Sequence, residues 1–287
     1  MRPASGSAGL DRELAIAEAA AAGLPVRRVA IVRRGGGRTA RRIDRIAVEE
    51  PLEIRLEGEP VAVTMRTPAP GEDIELALGF LLSERIVDPA AIAGAAECRP
   101  GGGGGAVDVR LRPGAEPRGG WQRSFYATSS CGICGKAALE AVRVEADPLP
   151  PGPRVAAAAL GALPARLRAA QRVFDRTGGL HAAGLFTPGG ELIAIREDVG
   201  RHNALDKLIG WAAVQGLLPL HGRVLQLSGR ASFELVQKAL VAGIPVVAAV
   251  SAPSSLAVDL ARESGMTLAG FARGDAFNIY AGEGRIA

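Results

Sequence analysis

Cys131-Gly132-Ile133-Cys134-Gly135 sets two thiols in a C-x-x-C spacing, and these are two of only three cysteines in 287 residues. Such a pair can share a redox task or a metal ion that one thiol cannot manage alone. Glycine follows each cysteine, so the backbone around both sulfurs is permissive. Lys136-Ala137-Ala138-Leu139-Glu140 then reads as the start of a helix. Thiols just ahead of a helix N-terminus and beside a lysine tend toward lowered pKa values and reactivity. The motif argues for sulfur chemistry or for metal, and the rest of the chain must decide.

Three further polar segments sit where an apolar strand gives way to a helix. The first runs Arg196-Glu197-Asp198-Val199-Gly200-Arg201-His202-Asn203 and continues to Asp206 and Lys207. The strand before it and the amphipathic helix after it place this cluster at the edge of a cleft. The second is Ser228-Gly229-Arg230-Ala231-Ser232, whose hydroxyls and arginine at a helix start suit a phosphate. Ser232 as a plain N-cap is compatible with that role. The third, Ser251-Ala252-Pro253-Ser254-Ser255, has no charge and reads as a cap-rich turn. His181 follows Thr177-Gly178-Gly179-Leu180, and is equally readable as structural or as a ligand-binding group. Phe271-Ala272-Arg273-Gly274-Asp275-Ala276 offers an arginine and an aspartate around a glycine, either to recognise a ligand or as a charged hairpin only.

The elements that must hold these residues follow from periodicity. Ile43–Val48, Leu52–Leu56 and Val61–Arg66 read as strands, with Glu57-Gly58-Glu59-Pro60 as a hairpin turn. A helix follows Gly71-Glu72-Asp73. Gly101 to Gly105 lacks the strand–turn–helix context of a dinucleotide site and reads as a hairpin loop before a strand at 107–111. Proline and glycine over 147–153 mark a boundary. Beyond it the pattern predicts helices at 155–174, 202–214, 232–242 and 255–264. Strands are predicted at 182–187, 191–195, 223–227, 245–250, 266–270 and 276–280. This alternation means a partly parallel sheet with helices on its faces, and ligands bind beyond the carboxyl ends of such strands. The expected organisation is a disordered basic extension over 1–40 with a short helix at 11–22. A small α+β domain over 41–146 ends in the C-x-x-C loop, and an α/β domain covers 147–287.

Composition narrows the class. A hydrophobic content of 48% supports a large core, with aliphatics and alanine filling it because aromatics are only 4%. The longest apolar run, 242–250, is too short to span a bilayer, which needs about 20 residues. Acids at Asp11, Glu13 and Glu18 argue against a signal peptide. Three cysteines make no disulfide framework, so a cytoplasmic location is expected. The net charge of +4 is localised, because residues 26–45 hold eight arginines and one acid, leaving −3 for everything else (4 − 7). That stretch reads as a solvated extension, with contact to an anionic partner as the sharper alternative. Neither a nucleic-acid nor a membrane partner is expected.

Taken in order, these pieces resemble the formate dehydrogenase accessory sulfurtransferases, the FdhD family. The matching segments are Pro51-Leu52-Glu53-Ile54, Pro60 to Pro68, Leu76 to Glu84, Ser130 to Gly135, Thr177 to His181, Glu197 to Lys207, Ser228-Gly229-Arg230 and Phe277-Asn278-Ile279-Tyr280. The resemblance covers about 43–280 and says nothing of the arginine-rich start or the glycine loop. It implies a sulfur carrier loaded by a cysteine desulfurase. The sulfur would pass to the bis-molybdopterin guanine dinucleotide cofactor before insertion into formate dehydrogenase. It also implies a homodimer, and a larger domain with three α/β/α layers like the cytidine deaminase fold. Cys131 is assigned as the persulfide cysteine and Cys134 as the assisting or resolving thiol, although spacing alone does not distinguish them. By the resemblance Phe271, Ala272, Arg273, Gly274, Asp275 and Ala276 contact the cofactor. Arg230, Arg201 and His181 are further candidates on physical grounds.

Other readings fit less well. A zinc deaminase needs H-x-E upstream of P-C-x-x-C, and all three histidines lie downstream of Cys134 with Ser130 in place of proline. A structural zinc site would have to draw on Cys98 and scattered histidines. A thioredoxin-like oxidoreductase would need a βαβ pattern around the motif. A chaperone that only binds cofactor and client differs from a carrier in not needing Cys131. No bound metal is expected.

Overall fold

The computed structural model describes residues 25–98, 105–118 and 148–287. The helix expected at 11–22 and the C-x-x-C lie outside these residues, as does most of the glycine loop.

Val26–Gly35 (β1) and Arg38–Ala47 (β2) pair as an antiparallel ribbon across Gly36-Gly37. Both glycines have positive φ, 56° and 71°, the conformation a two-residue type I′ turn requires. The disordered extension expected over 1–40 is therefore corrected for residues 26–40. The density of arginine suggested a solvated tail. The β-branched residues between the arginines and the glycine pair instead specify a hairpin.

Glu50–Leu56 (β3) and Glu59–Arg66 (β4) form the next hairpin. Ile92–Cys98 (β5) and Gly105–Leu111 (β6) pair antiparallel with Cys98 opposite Ala106, and β6 runs parallel to β3. The resulting sheet has the order β4-β3-β6-β5. Alternation sorts its residues: Leu52, Ile54 and Leu56 are buried, whereas Glu53 and Arg55 turn outward and pair at 2.6 Å. The expected helix is α1 (Glu72–Ser83), whose Leu76, Ala77 and Leu81 seal the apolar face.

The second sheet has six strands. These are His181–Phe186 (β7), Leu192–Asp198 (β8), Val224–Leu227 (β9), Val246–Ala249 (β10), Thr267–Arg273 (β11) and Ala276–Ala281 (β12). Their order is β12-β11-β10-β9-β7-β8. Strands β9, β10 and β11 are parallel, while β7, β8 and β12 each run antiparallel to a neighbour. Side chains alternate between two cores. Leu225, Leu227, Val247 and Leu268 face helices Arg201–Val214 (α4), Phe233–Val241 (α5) and Ser255–Glu263 (α6). Val224, Val246, Ala248 and Ala269 face Ala157–Ala170 (α2) on the other side. The helix expected over 155–174 is two helices. The chain breaks at Gln171, whose ψ of 81° is not helical, before Arg172–Thr177 (α3).

The two sheets are joined through helices α1 and α4, which cross at backbone contact. A Cβ built on Gly79 would overlap the carbonyl of Asp206, and one built on Gly210 would overlap the carbonyl of Glu75. Each glycine thus admits the other helix where any side chain would hold it off. Overpacking a tight core costs about 1–3 kcal/mol and more where backbone cannot yield. Gly79→Ala and Gly210→Ala should each lower unfolding free energy by about 3 kcal/mol or more in urea titrations. Wild-type stability in either variant would show that the crossing is not closed.

Candidate functional site

The carboxyl ends of β9, β10 and β11 form one edge with the start of β7, and neighbouring loops there are linked through the backbone. Ser228 N donates to Ala182 O at 3.0 Å, and Ala182 N donates back to Ser228 Oγ at 2.8 Å. Ser251 N donates to Gly229 O, and Phe271 N to Ser251 O, each at 3.2 Å. Ala231 N reaches Ala252 O, and Ser254 N reaches Ala231 O. The loops after all three parallel strands are therefore one connected rim.

Most of the sequence-predicted binding residues fall on this rim. His181 is half-buried, with its imidazole lying over Gly229: a Cβ there would stand 3.5 Å from Nδ1. Burial, and then the nearby Arg201, hold the His181 pKa below its ordinary 6.5. Arg201 begins α4, and its Nε is buried with no hydrogen-bond partner. Arg230 is exposed on the turn before α5. Ser232 stands at the N-cap of α5, yet its hydroxyl is buried and makes no cap bond. Ser254 does cap α6, accepting from Ala257 N at 3.3 Å, as a cap-rich turn should. Phe271 is 45% exposed at a φ of 53°, Ala272 is fully buried, and Arg273 to Ala276 are exposed. The Arg273-Gly274-Asp275-Ala276 turn leans on α2, where Gly161 leaves room for the Gly274 carbonyl. Among the described residues Arg201, Arg230 and Arg273 have no carboxylate partner. Arg201 and Arg230, beside the α5 N-terminus and the unused Ser232 hydroxyl, and Arg273 further along the same edge can receive phosphate-like anions.

The polar cluster at 196–207 is largely not part of that rim. Asp198, fully buried, accepts from Thr67 N at 2.9 Å, Gly200 N at 2.8 Å and Asn203 Nδ2 at 3.1 Å. Lys207 Nζ lies 2.8 Å from Asp198 and donates to Thr67 O at 2.8 Å and Glu72 at 2.9 Å. Asn203 also donates to Met65 O at 2.7 Å and accepts from Thr64 Oγ1 at 3.1 Å. Arg196 grips Glu75 on α1 through Nε and Nη2 at 2.5 and 2.6 Å. These groups clamp the end of β4 and the start of α1 onto α4. The cleft-edge placement expected for the whole cluster is corrected: only its Arg201 end opens onto the rim, because Asp198, Asn203 and Lys207 are satisfied by the backbone of Met65 and Thr67, and Arg196 by Glu75.

A second buried network carried no sequence signal. Lys238 Nζ on α5 contacts both Asp206 oxygens at 2.9 Å, Ser83 Oγ at 2.8 Å and Glu84 at 3.0 Å. Ser83 in turn donates to Asp206 at 2.7 Å. Burial opposes the charge on Lys238, but Asp206 and Glu84 outweigh it and hold the ammonium above its ordinary value.

Cys131 and Cys134 lie outside the described residues. The chain leaves the described part at Arg118, which bonds Ile86 O at 2.9 Å and Asp88 at 2.7 Å. It returns at Pro148, and the next residue's N–H, that of Leu149, donates to Ser264 O at 3.0 Å. Asp88 and Leu149 both line one cleft of about 290 Å³, together with Arg85 and His221. Among the described residues no group of three or more His, Cys, Asp or Glu could hold a metal ion. No helix among them is long and apolar enough to cross a membrane.

A mixed α/β chain with this pair of sheets has solved and curated relatives. A proposed formate dehydrogenase accessory protein from Desulfotalea psychrophila superposes with a TM-score of 0.72 at 22% identity, over 91% of this chain and 99% of that one. The sequence profile of the FdhD/NarQ family matches residues 47–287, and the chain belongs to that family. Curated relatives include the sulfur carrier protein FdhD of Streptomyces avermitilis, 58% identical over 90% of this chain and 94% of that protein. The sulfur carrier protein FdhD of Anaeromyxobacter dehalogenans is 45% identical over 96% of this chain and 98% of that one.

Two expectations follow from the site geometry. Lys238→Met leaves Asp206 and Glu84 buried without their ammonium and should cost about 3–5 kcal/mol in urea titration. Lys238→Met with Asp206→Leu should recover more than half of that loss. Equal loss in the single and double variants would mean the pair is not the source. The lowered pKa of His181 gives stability that is full above the unfolded value of 6.5 and is lost as pH falls through the folded value. The stability of His181→Gln should therefore decline less between neutral and mildly acid pH than that of wild type. An NMR titration placing His181 above its ordinary value would contradict this.

Proposed function

We propose that the protein is a sulfur carrier. It takes persulfide sulfur from a cysteine desulfurase and passes it to the bis-molybdopterin guanine dinucleotide cofactor before insertion into formate dehydrogenase. The observation that carries the reading is the rim. Among the described residues Arg201, Arg230 and Arg273 lack carboxylate partners there, the first two beside the α5 N-terminus, in a chain whose relatives are named sulfur carriers. A guanine dinucleotide is a large anion, and these are groups that hold phosphates. The segment Phe271, Ala272, Arg273, Gly274, Asp275 and Ala276 supplies the contact with this cargo, together with Arg230, Arg201 and His181. Neutral His181 can accept as well as donate a hydrogen bond at such a ligand.

The transfer chemistry falls to the C-x-x-C. The Cys131 thiolate attacks the outer sulfur of the desulfurase persulfide, the S–S bond there breaks, and the desulfurase leaves as its thiolate. Cys131 then carries the persulfide. Cys134 can release it by attacking the inner sulfur, which closes a disulfide and expels hydrosulfide toward the cofactor. A dithiol reductant reopens the pair. In this sense the protein is a sulfurtransferase. The same proposal makes it a cytoplasmic homodimer whose larger sheet adopts the cytidine deaminase fold.

Incubation with a cysteine desulfurase and cysteine, followed by intact mass measurement, tests the carrier step. Wild type and Cys134→Ala should gain the mass of one sulfur atom, and Cys131→Ala should not. A Cys134→Ala protein that gains no sulfur, or a wild-type protein that carries zinc on the cysteine pair instead, would sink the proposal.

A further inference from the structure

We propose that the β1–β2 ribbon is a docking arm for an acidic surface on another protein. Its twenty-two residues from Val26 to Ala47 contain eight arginines and one acid. The register places four arginines on each face: Arg28, Arg34, Arg41 and Arg45 on one, Arg27, Arg33, Arg38 and Arg42 on the other. Arg28 and Arg45 stand directly opposite each other, a like-charge pairing that weakens a ribbon left on its own. None of the eight has an ion-pair partner among the described residues. The base is anchored: Val26 is buried, Val48 N donates to Pro25 O at 3.0 Å, and Ala47 packs near Gly179. The outer part is not, since every residue from 32 to 42 is exposed. Four residues of β1 and five of β2 therefore project, by roughly 15 Å.

A lone two-stranded ribbon is marginal in water, and this one carries mutual repulsion along its length. An occupant that supplies carboxylates removes that penalty. The composition selects the occupant. Arginine without lysine, interleaved with exposed Val32 and Ile46, matches protein interfaces, where arginine is enriched, lysine is depleted and guanidinium grips carboxylate in pairs. Single-stranded nucleic acid calls for aromatic side chains to stack on, and residues 26–47 contain none. A duplex continues its charge beyond the ribbon and meets a body of net charge −3 (4 − 7), whereas an acidic protein patch ends where the ribbon does. The inference is independent of the sulfur-transfer reading, because it uses neither cysteine.

The test compares the full chain with two variants, Arg28/Arg34/Arg41/Arg45→Gln and Arg27/Arg33/Arg38/Arg42→Gln. Binding of fluorescently labelled poly-L-glutamate, and of duplex DNA of matched charge, is measured by anisotropy at several salt concentrations. Thermal unfolding checks that the body of each variant is intact, and light scattering reports the oligomeric state. Each variant should bind poly-L-glutamate at least about tenfold more weakly than wild type, with a shallower salt dependence. Unchanged affinity in both variants overturns the proposal. So does DNA bound more tightly than poly-L-glutamate, which makes the partner a nucleic acid. A change of oligomeric state in the variants assigns the ribbon to a second copy of this chain instead.

Discussion

Helix α4 is buried on both sides, and that constraint governs the architecture. Its lower face packs Leu205, Leu208 and Ile209 on the six-stranded sheet, while Gly210 and the Asp206 carbonyl meet α1. A helix in backbone contact with its neighbour gains dispersion along the crossing but leaves no room for side chains to fix its axial position. Charged clamps at either end do that. Asp198 and Lys207 hold the α1 start and the end of β4, while Asp206 and Lys238 hold Ser83 and Glu84 at the α1 end. Buried pairs of this kind add little net stability, since desolvation offsets their attraction. What they enforce is register. Sliding α1 by one turn, about 5.4 Å, would leave buried charges without partners while barely altering the apolar contact.

The rim depends on this clamp. Gly200 N is fixed by Asp198, and Arg201 follows directly, so the first turn of α4 cannot swing to satisfy the buried Arg201 Nε within the protein. The hydroxyl of Ser232 is unsatisfied in the same way at the next helix start. Unpaired buried donors cost free energy unless something completes them, and these two, after β8 and β9 on either side of β7, are positioned for an oxygen-rich ligand. Stability is thus placed in the helix crossing, and the unsatisfied groups are placed where a ligand can reach.

Legibility in the sequence followed the range of the signal. Alternation and amphipathic spacing were enough for β3, β4, α1 and the whole β9–α5–β10–α6–β11 run, because each rests on local periodicity. The α2–α3 break was invisible, since Gln171 is an ordinary residue in an alanine-rich stretch. The ribbon was masked because arginine density dominated the apolar residues between. The positions of Arg201 and Arg230 at strand-to-helix turns, and of His181 between a Gly-Gly turn and a strand, were readable from local context. Segment 271–276 came through family resemblance. The clamp role of Asp198, Asn203 and Lys207 was not readable, because their partners Thr64, Met65 and Thr67 are far away in the chain. A polar run after a strand looks the same whether it faces solvent or another layer.

The two arginine groups differ in the physics of what they can hold. Arg201 opens α4 half-buried, with its Nε shielded from water, while Arg230 and Arg273 are exposed but stand on a rim whose loops are tied together by backbone bonds. Ionic attraction is screened less at the half-buried Arg201, and fixed loops hold an anionic group in one orientation. The ribbon arginines are exposed at the end of a projecting hairpin, where screening over about 8 Å at physiological salt makes each contact weak and quickly exchanged. Exposed charges of that kind speed encounter more than they slow departure. A carrier that must meet one large partner and leave it for another gains from such an arm. An anionic ligand that must be oriented gains from a rigid rim instead. The clamp allows one chain to have both, since it stiffens the rim without involving the ribbon.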